Sequence, residues 1–174
     1  MSSTDELLKN NEAYAASFEK GDLPASPAKR VAVVACMDTR LDVYRMLGLK
    51  EGEVHVIRNA GGVITDDVIR SLMISQRFLG TREILLIHHT DCGMLTFEDD
   101  DVKRQIQTEV GIKPPFSLEA FPDLEENLLQ SMARIEASLF VPHKNVRGFV
   151  YEVETGRLRE VSATCGGRGK HGPD

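Results

Sequence analysis

Val31-Ala32-Val33-Val34-Ala35 is an unbroken apolar run that ends on Cys36-Met37-Asp38-Thr39-Arg40. A strand that is apolar at every position has no solvent face, so it belongs in a sheet covered on both sides. Val54 to Ile57 repeats the strand signal, and the third strand, Ile84 to Ile87, runs into His88-His89-Thr90-Asp91-Cys92-Gly93. Helical patterns separate the three strands. One spans Leu41 to Leu49. The other is capped by Thr65 and carries Val68, Ile69, Leu72, Met73, Gln76 and Phe78 up to Gly80. Strands joined through helices predict an α/β domain with a mainly parallel central sheet flanked by helices.

Beyond the third strand, Glu98-Asp99-Asp100-Asp101 is expected to begin a helix as solvated carboxylates at the positive dipole end. Lys113-Pro114-Pro115 breaks the chain, Asp123 to Leu139 is a long amphipathic helix, and Val146–Val153 and Leu158–Val161 flank a turn at Glu154-Thr155-Gly156-Arg157. This hairpin or edge strand completes the sheet. Before the first strand, Ser3-x-x-Glu6 reads as a capping box, with Leu7, Leu8, Tyr14, Ala15 and Phe18 at roughly helical spacing until Gly21. Such a helix has no obvious partner nearby in the chain, so it is expected to pack on another subunit. The resulting organisation is an N-terminal helical arm and linker over 1–30, an α/β domain over 31–162, and a mobile glycine-rich tail over 163–174 that contains Cys165, a spare thiol.

The 174 residues carry a net charge of −6 and no Lys/Arg block, which argues against nucleic acid or an anionic membrane surface as partner. No apolar stretch approaches the ~20 residues of a membrane span, and the N-terminus has no signal-peptide pattern, so a cytoplasmic location is expected. Three cysteines are too few for a disulfide framework and leave thiols free for metals. Neither nucleotide-binding glycine signature occurs, and Arg58-Asn59-Ala60-Gly61-Gly62 alone is a weak phosphate signal. A small ligand is implied.

Ligands bind outside the carboxyl ends of parallel strands, where the two clusters can meet. Cys36, His89 and Cys92 would then offer two sulfurs and one nitrogen to Zn²⁺, with a fourth position left for water. Adjacent strand residues point to opposite faces, so His88 and His89 cannot easily share an ion, and His-x-x-Cys favours His89. His88 is left to relay protons or to donate a supporting hydrogen bond. His55, His143 and His171 have no spaced partner. Asp38 and Arg40, two apart, suit a carboxylate–guanidinium pair, structural as readily as catalytic. A dithiol redox protein would leave His89, Asp38 and Arg40 idle. A structural zinc module would close the fourth position with Asp38.

Taken together, C-x-D-x-R after one strand and H-x-x-C-G after another resemble the β-class carbonic anhydrases, in the small-subunit microbial and fungal group, from about Val31 to Val161. The resemblance implies one Zn²⁺ per subunit on Cys36, His89 and Cys92, with Asp38 and Arg40 as the catalytic dyad. It implies that Asn59, Ala60, Gly61 and Gly62, with Gly93, line the substrate site. It also implies a homodimer, or a larger homo-oligomer built from dimers, with the N-terminal helix embracing the partner. The activity implied is hydration of carbon dioxide to bicarbonate by zinc-bound hydroxide, oriented by Asp38 while Arg40 holds that carboxylate off the metal. Because two thiolates cancel the metal's charge, a more alkaline optimum is expected. Hydrolysis of carbonyl sulfide or carbon disulfide by the same chemistry is the alternative.

Overall fold

The computed structural model describes residues 2–162, so the tail with Cys165 and His171 lies outside the described residues. The elements are α1 (Ser3–Ala16), β1 (Val31–Cys36), α2 (Val43–Met46), β2 (Val54–Asn59), α3 (Asp66–Arg77), β3 (Glu83–His89), α4 (Asp99–Val110), α5 (Leu124–Ala137), β4 (Asn145–Glu152) and β5 (Arg157–Val161). They form a five-stranded sheet in the order β2-β1-β3-β4-β5. The first four strands are parallel, and β5 returns antiparallel on β4 as the edge.

Alternation along the buried strands divides the core. Ala32, Val34, Ile84, Leu86 and Val150 face α3 and α5, where Val68, Leu72, Leu128 and Ile135 cover them. Val33, Ala35 and Ile87 face the other way, onto Leu41, Val43, Val63 and Phe121. The α5 helix lies so close to β4 that a Cβ on Gly148 would stand 2.7 Å from Met132 Sδ and 3.1 Å from Leu128 Cγ. Tight packing of this kind sets where the strands end, and therefore where their terminal side chains point.

The strand order reverses between β1 and β3, since β2 lies on one side of β1 and β3 on the other. A crevice opens outside the strand ends at such a switch point. Ala35 pairs with Ile87 in the parallel register, so Cys36 and His89 arrive there almost level.

Some local readings shift. The capping box is Ser2 with Asp5: Ser2 Oγ accepts from Asp5 N at 3.2 Å and Asp5 Oδ2 accepts from Ser2 N at 2.7 Å. Ser-x-x-acid occurs in two registers here, and the earlier one wins. The helix expected over Leu41–Leu49 shrinks to one turn, Val43–Met46, capped by Asp42. The hairpin expected at Glu154–Arg157 forms between β4 and β5.

Candidate metal centre

Cys36 is the last residue of β1, His89 the last of β3, and Cys92 follows three residues later. All three are buried, and their ligand atoms lie within 4.8 Å of one another. His89 Nδ1 lies 2.8 Å from the carbonyl oxygen of Thr90. A carbonyl only accepts, so Nδ1 carries the proton and Nε2 presents a lone pair. That buried Nε2 has no hydrogen-bond partner among the described residues.

The charges tell the same story. The contact between the thiols pulls Cys36 well below the ordinary thiol value, and pushes Cys92 up with help from burial. Burial alone would lower His89, but the Cys36 sulfur and the Thr90 carbonyl outweigh it and raise the imidazole. An anionic sulfur that draws protons onto its neighbours marks a pocket that favours positive charge. A divalent cation satisfies both thiolates and the bare nitrogen at once. The donor set therefore fits zinc.

His88, one residue earlier, points away as strand alternation requires. Its Nε2 meets Asn127 Oδ1 at 2.8 Å, and its ring stacks on Phe121 with centroids 5.7 Å apart. His55 instead bonds Ser75 Oγ through Nδ1 at 2.8 Å.

Arg40 grips Asp38 at both carboxylate oxygens, Nε to Oδ1 at 2.9 Å and Nη2 to Oδ2 at 2.8 Å. That contact holds the Asp38 carboxyl well below the usual range. Asp38 Oδ2 lies 3.8 Å from His89 Nε2, so the ionised group borders the donor triangle without entering it. Arg58 fixes the strand end from below. Its guanidinium donates to the carbonyls of Cys36 and Asp38, at 2.8 Å and 2.7 Å from Nη2.

A cavity of about 330 Å³ opens onto the donors, lined by Met37, Asp38, Ala60, Gly61, Gly93, Met94, Thr96 and Phe97 besides the three ligand residues. Ala60, Gly61 and Gly93 are thus wall residues. Asn59 and Gly62 sit behind the wall. Asn59 Nδ2 donates to Val63 O at 2.9 Å. Gly62, at φ +68°, packs its backbone where a Cβ would stand 2.8 Å from Cys36 N and 3.1 Å from Ile87 O. Its smallness serves the chain's own close approach to the Cys36 strand end.

Sequence reasoning missed Asp91 as a partner of Arg40. Asp91 Oδ2 accepts from Nη1 at 2.7 Å, and its carbonyl accepts from Nη2 at 3.0 Å. The available signal was the residue type: Asp tolerates the left-handed backbone that Asp91 adopts at φ +55°.

A doubly covered α/β sheet with a Cys₂His donor set at its switch point defines a metal-binding α/β enzyme class. Comparison with known proteins narrows it. The family model described as "Carbonic anhydrase" matches residues 31–114. The chain is 64% identical over 163 residues to beta-carbonic anhydrase 1 of Mycobacterium tuberculosis, covering 93% of this chain and 99% of that protein. It is 36% identical to the carbon disulfide hydrolase of an Acidianus species, over 90% of this chain and 87% of that one. The solved carbonic anhydrase of Streptococcus mutans superposes with a TM-score of 0.87 at 43% identity, covering 93% and 99%. The chain belongs to the carbonic anhydrase family, in its β class. Among the described residues, no helix is long and apolar enough to cross a membrane.

Proposed function

We propose that the protein hydrates carbon dioxide to bicarbonate, with one Zn²⁺ per subunit held by Cys36, His89 and Cys92. The observation that carries this reading is the bare Nε2 of His89 facing two thiols, with an ionised Asp38 3.8 Å away. When bound, the metal supplies an acidified water and hence hydroxide near neutral pH. Two thiolates leave it little net charge, so the rate should rise toward alkaline pH.

The remaining work falls to the chain. Asp38 stays ionised and can only accept, so it takes one hydrogen bond from the attacking oxygen and turns that oxygen's free lone pair toward the substrate carbon. Arg40 holds Asp38 in that orientation. Ala60, Gly61, Met94 and Phe97 give a wall suited to a small uncharged molecule. Both Asp38 oxygens are engaged by Arg40, which argues against a closed structural zinc site. A dithiol redox role would leave His89 Nε2 without purpose.

Carbon disulfide or carbonyl sulfide is the second reading, supported by the carbon disulfide hydrolase relatives and by a wall that includes Met37, Met94 and Phe97. Discrimination among such linear molecules in an apolar pocket is worth only about 1–3 kcal/mol. Both readings use a homodimer or an assembly of dimers, supported by α1, which buries no residue of its own. Free thiols at the site suit the reducing cytoplasm. Stopped-flow hydration of carbon dioxide by zinc-loaded protein, run beside sulfide release from carbonyl sulfide, decides between the substrates. Absence of both reactions overturns the enzymatic reading.

A further inference from the structure

We infer that Asp91 is a positioning residue for the site, the outer latch that holds Arg40 so that Asp38 stays clear of the metal; this deepens the proposed zinc reading and rests on it. The Arg40 guanidinium spans two acidic groups. One edge takes both oxygens of Asp38, and the remaining N–H groups take the carboxylate and the carbonyl of Asp91, at 2.7 Å and 3.0 Å. The Arg40 backbone N–H also donates to Asp38 Oδ1 at 2.9 Å, but Oδ2, the oxygen that faces the donors, takes its hydrogen bond from the guanidinium. Arg40 keeps 43% of its side chain exposed, so a guanidinium held only by Asp38 would swing with it.

The cost of that swing is set by where Asp38 can go. Its Oδ2 is already 3.8 Å from His89 Nε2, within a short rotation of the donor triangle. A carboxylate freed from its guanidinium is a good zinc ligand and would take the position that solvent needs. Asp91 belongs to the His89–Cys92 turn, so the latch ties the β1 strand end to the turn that carries two of the donors. Its left-handed backbone turns the Asp91 carbonyl onto the same guanidinium.

The Asp91 side chain is 79% exposed, so the latch is an exposed ion pair of modest strength. The test separates its carboxylate from its backbone. Asp91→Gly keeps the left-handed conformation and removes the carboxylate; Asp91→Asn keeps both the conformation and an acceptor oxygen; Asp91→Ala strains the turn. Two readouts are used: kcat and KM for carbon dioxide on zinc protein, and azide affinity of the cobalt-substituted protein by visible absorption. The latch predicts that Asp91→Gly lowers kcat and weakens azide binding by about fivefold each with KM little changed, a size set by an exposed ion pair. Asp91→Asn recovers part of both. If Asp91→Gly and Asp91→Asn match the wild type in both readouts while only Asp91→Ala is impaired, the residue serves the turn alone and the inference is overturned. The azide arm needs no turnover, so a failure of carbon dioxide hydration in the wild type would leave the latch still decided by it.

Discussion

β1 and α1 are both rich in apolar residues and meet opposite fates. From Ala32 to Cys36 no residue of β1 is more than 5% exposed, whereas α1 buries none of its residues. Leu7 and Leu8 stand 66% and 62% exposed, with Tyr14 and Phe18 near half. The difference is one of place. β1 lies between two neighbours in the sheet and beneath helices, so its carboxyl end is fixed within the packing and can carry chemistry. α1 precedes the sheet and buries none of its side chains among the described residues. A helix of this length is marginal alone in water, and the packing on a partner subunit proposed above would stabilise it.

The sharpest way to break the comparison is to strike the strand end that packing has fixed. His89→Ala removes one of three donors. We expect carbon dioxide hydration to fall by at least about a thousandfold, ~4 kcal/mol in transition-state terms, with zinc content near zero by elemental analysis. A variant that kept its metal and its rate would remove His89 from the site. Gly62→Ala strikes the same strand end through packing. It places a Cβ against Cys36 N at a positive φ, so neither a rotamer change nor a side-chain shift relieves it. A loss of more than about 3 kcal/mol in urea unfolding is expected, together with weakened metal binding. Wild-type stability would mean that the β1 end can move.

The same contrast explains what was legible beforehand. β1 and the Ile84–Ile87 run of β3 were readable because burial on both faces leaves no polar positions, the half-buried edge strand β2 showed through Val54, Val56 and Ile57 despite His55, and the alternation of a strand separated His88 from His89. The donor triad needed only those strand ends to meet. The Arg40–Asp91 contact spans 51 residues and is made by folding, so beyond the residue type at position 91 nothing local announces it. The acidic run at Glu98–Asp101 is the reverse case. It reads as a solvated helix start, but Asp99 turns inward and accepts from the backbone of Leu118, Glu119 and Ala120. The 117–120 loop has no periodic pattern, so its need for an acceptor could not be read. In α1 the expected partner is another subunit, which a single chain leaves outside its fold.

Replacing Leu7 and Leu8 together by Ser tests that last point. Each exposed leucine that becomes buried is worth about 1.5–3 kcal/mol, of which the half-open positions here should yield the lower part. The double variant should dissociate at a subunit concentration at least about tenfold higher in sedimentation velocity. Dissociation unchanged from the wild type would show that α1 does not cover a partner.

α4 lies between the two extremes. It buries no residue, yet one of its side chains ties it to the core: Asp99 accepts from Leu118 N at 2.7 Å, Ala120 N at 2.9 Å and Ser117 Oγ at 3.1 Å. Burial works to raise this carboxyl, but the N–H donors of Ala120 and Leu118 outweigh it and hold it below the usual value. A carboxyl depressed in the folded state adds stability above its ordinary value near 4, and that stability is lost as pH falls through the lower folded value. Asp99→Asn keeps one acceptor oxygen but loses the charge and introduces amide donors among donors, at a cost of about 1 kcal/mol near pH 7. The gap between wild type and variant in urea midpoint should therefore be widest near neutrality and narrow below pH ~4. A gap independent of pH would mean that shape, and not ionisation, holds the loop. Because Phe121 N donates to Met94 O next to that loop, and Met94 lines the cavity, the same variant should loosen the wall without touching a metal donor. A carbon dioxide KM that rises with kcat nearly unchanged would mark that effect.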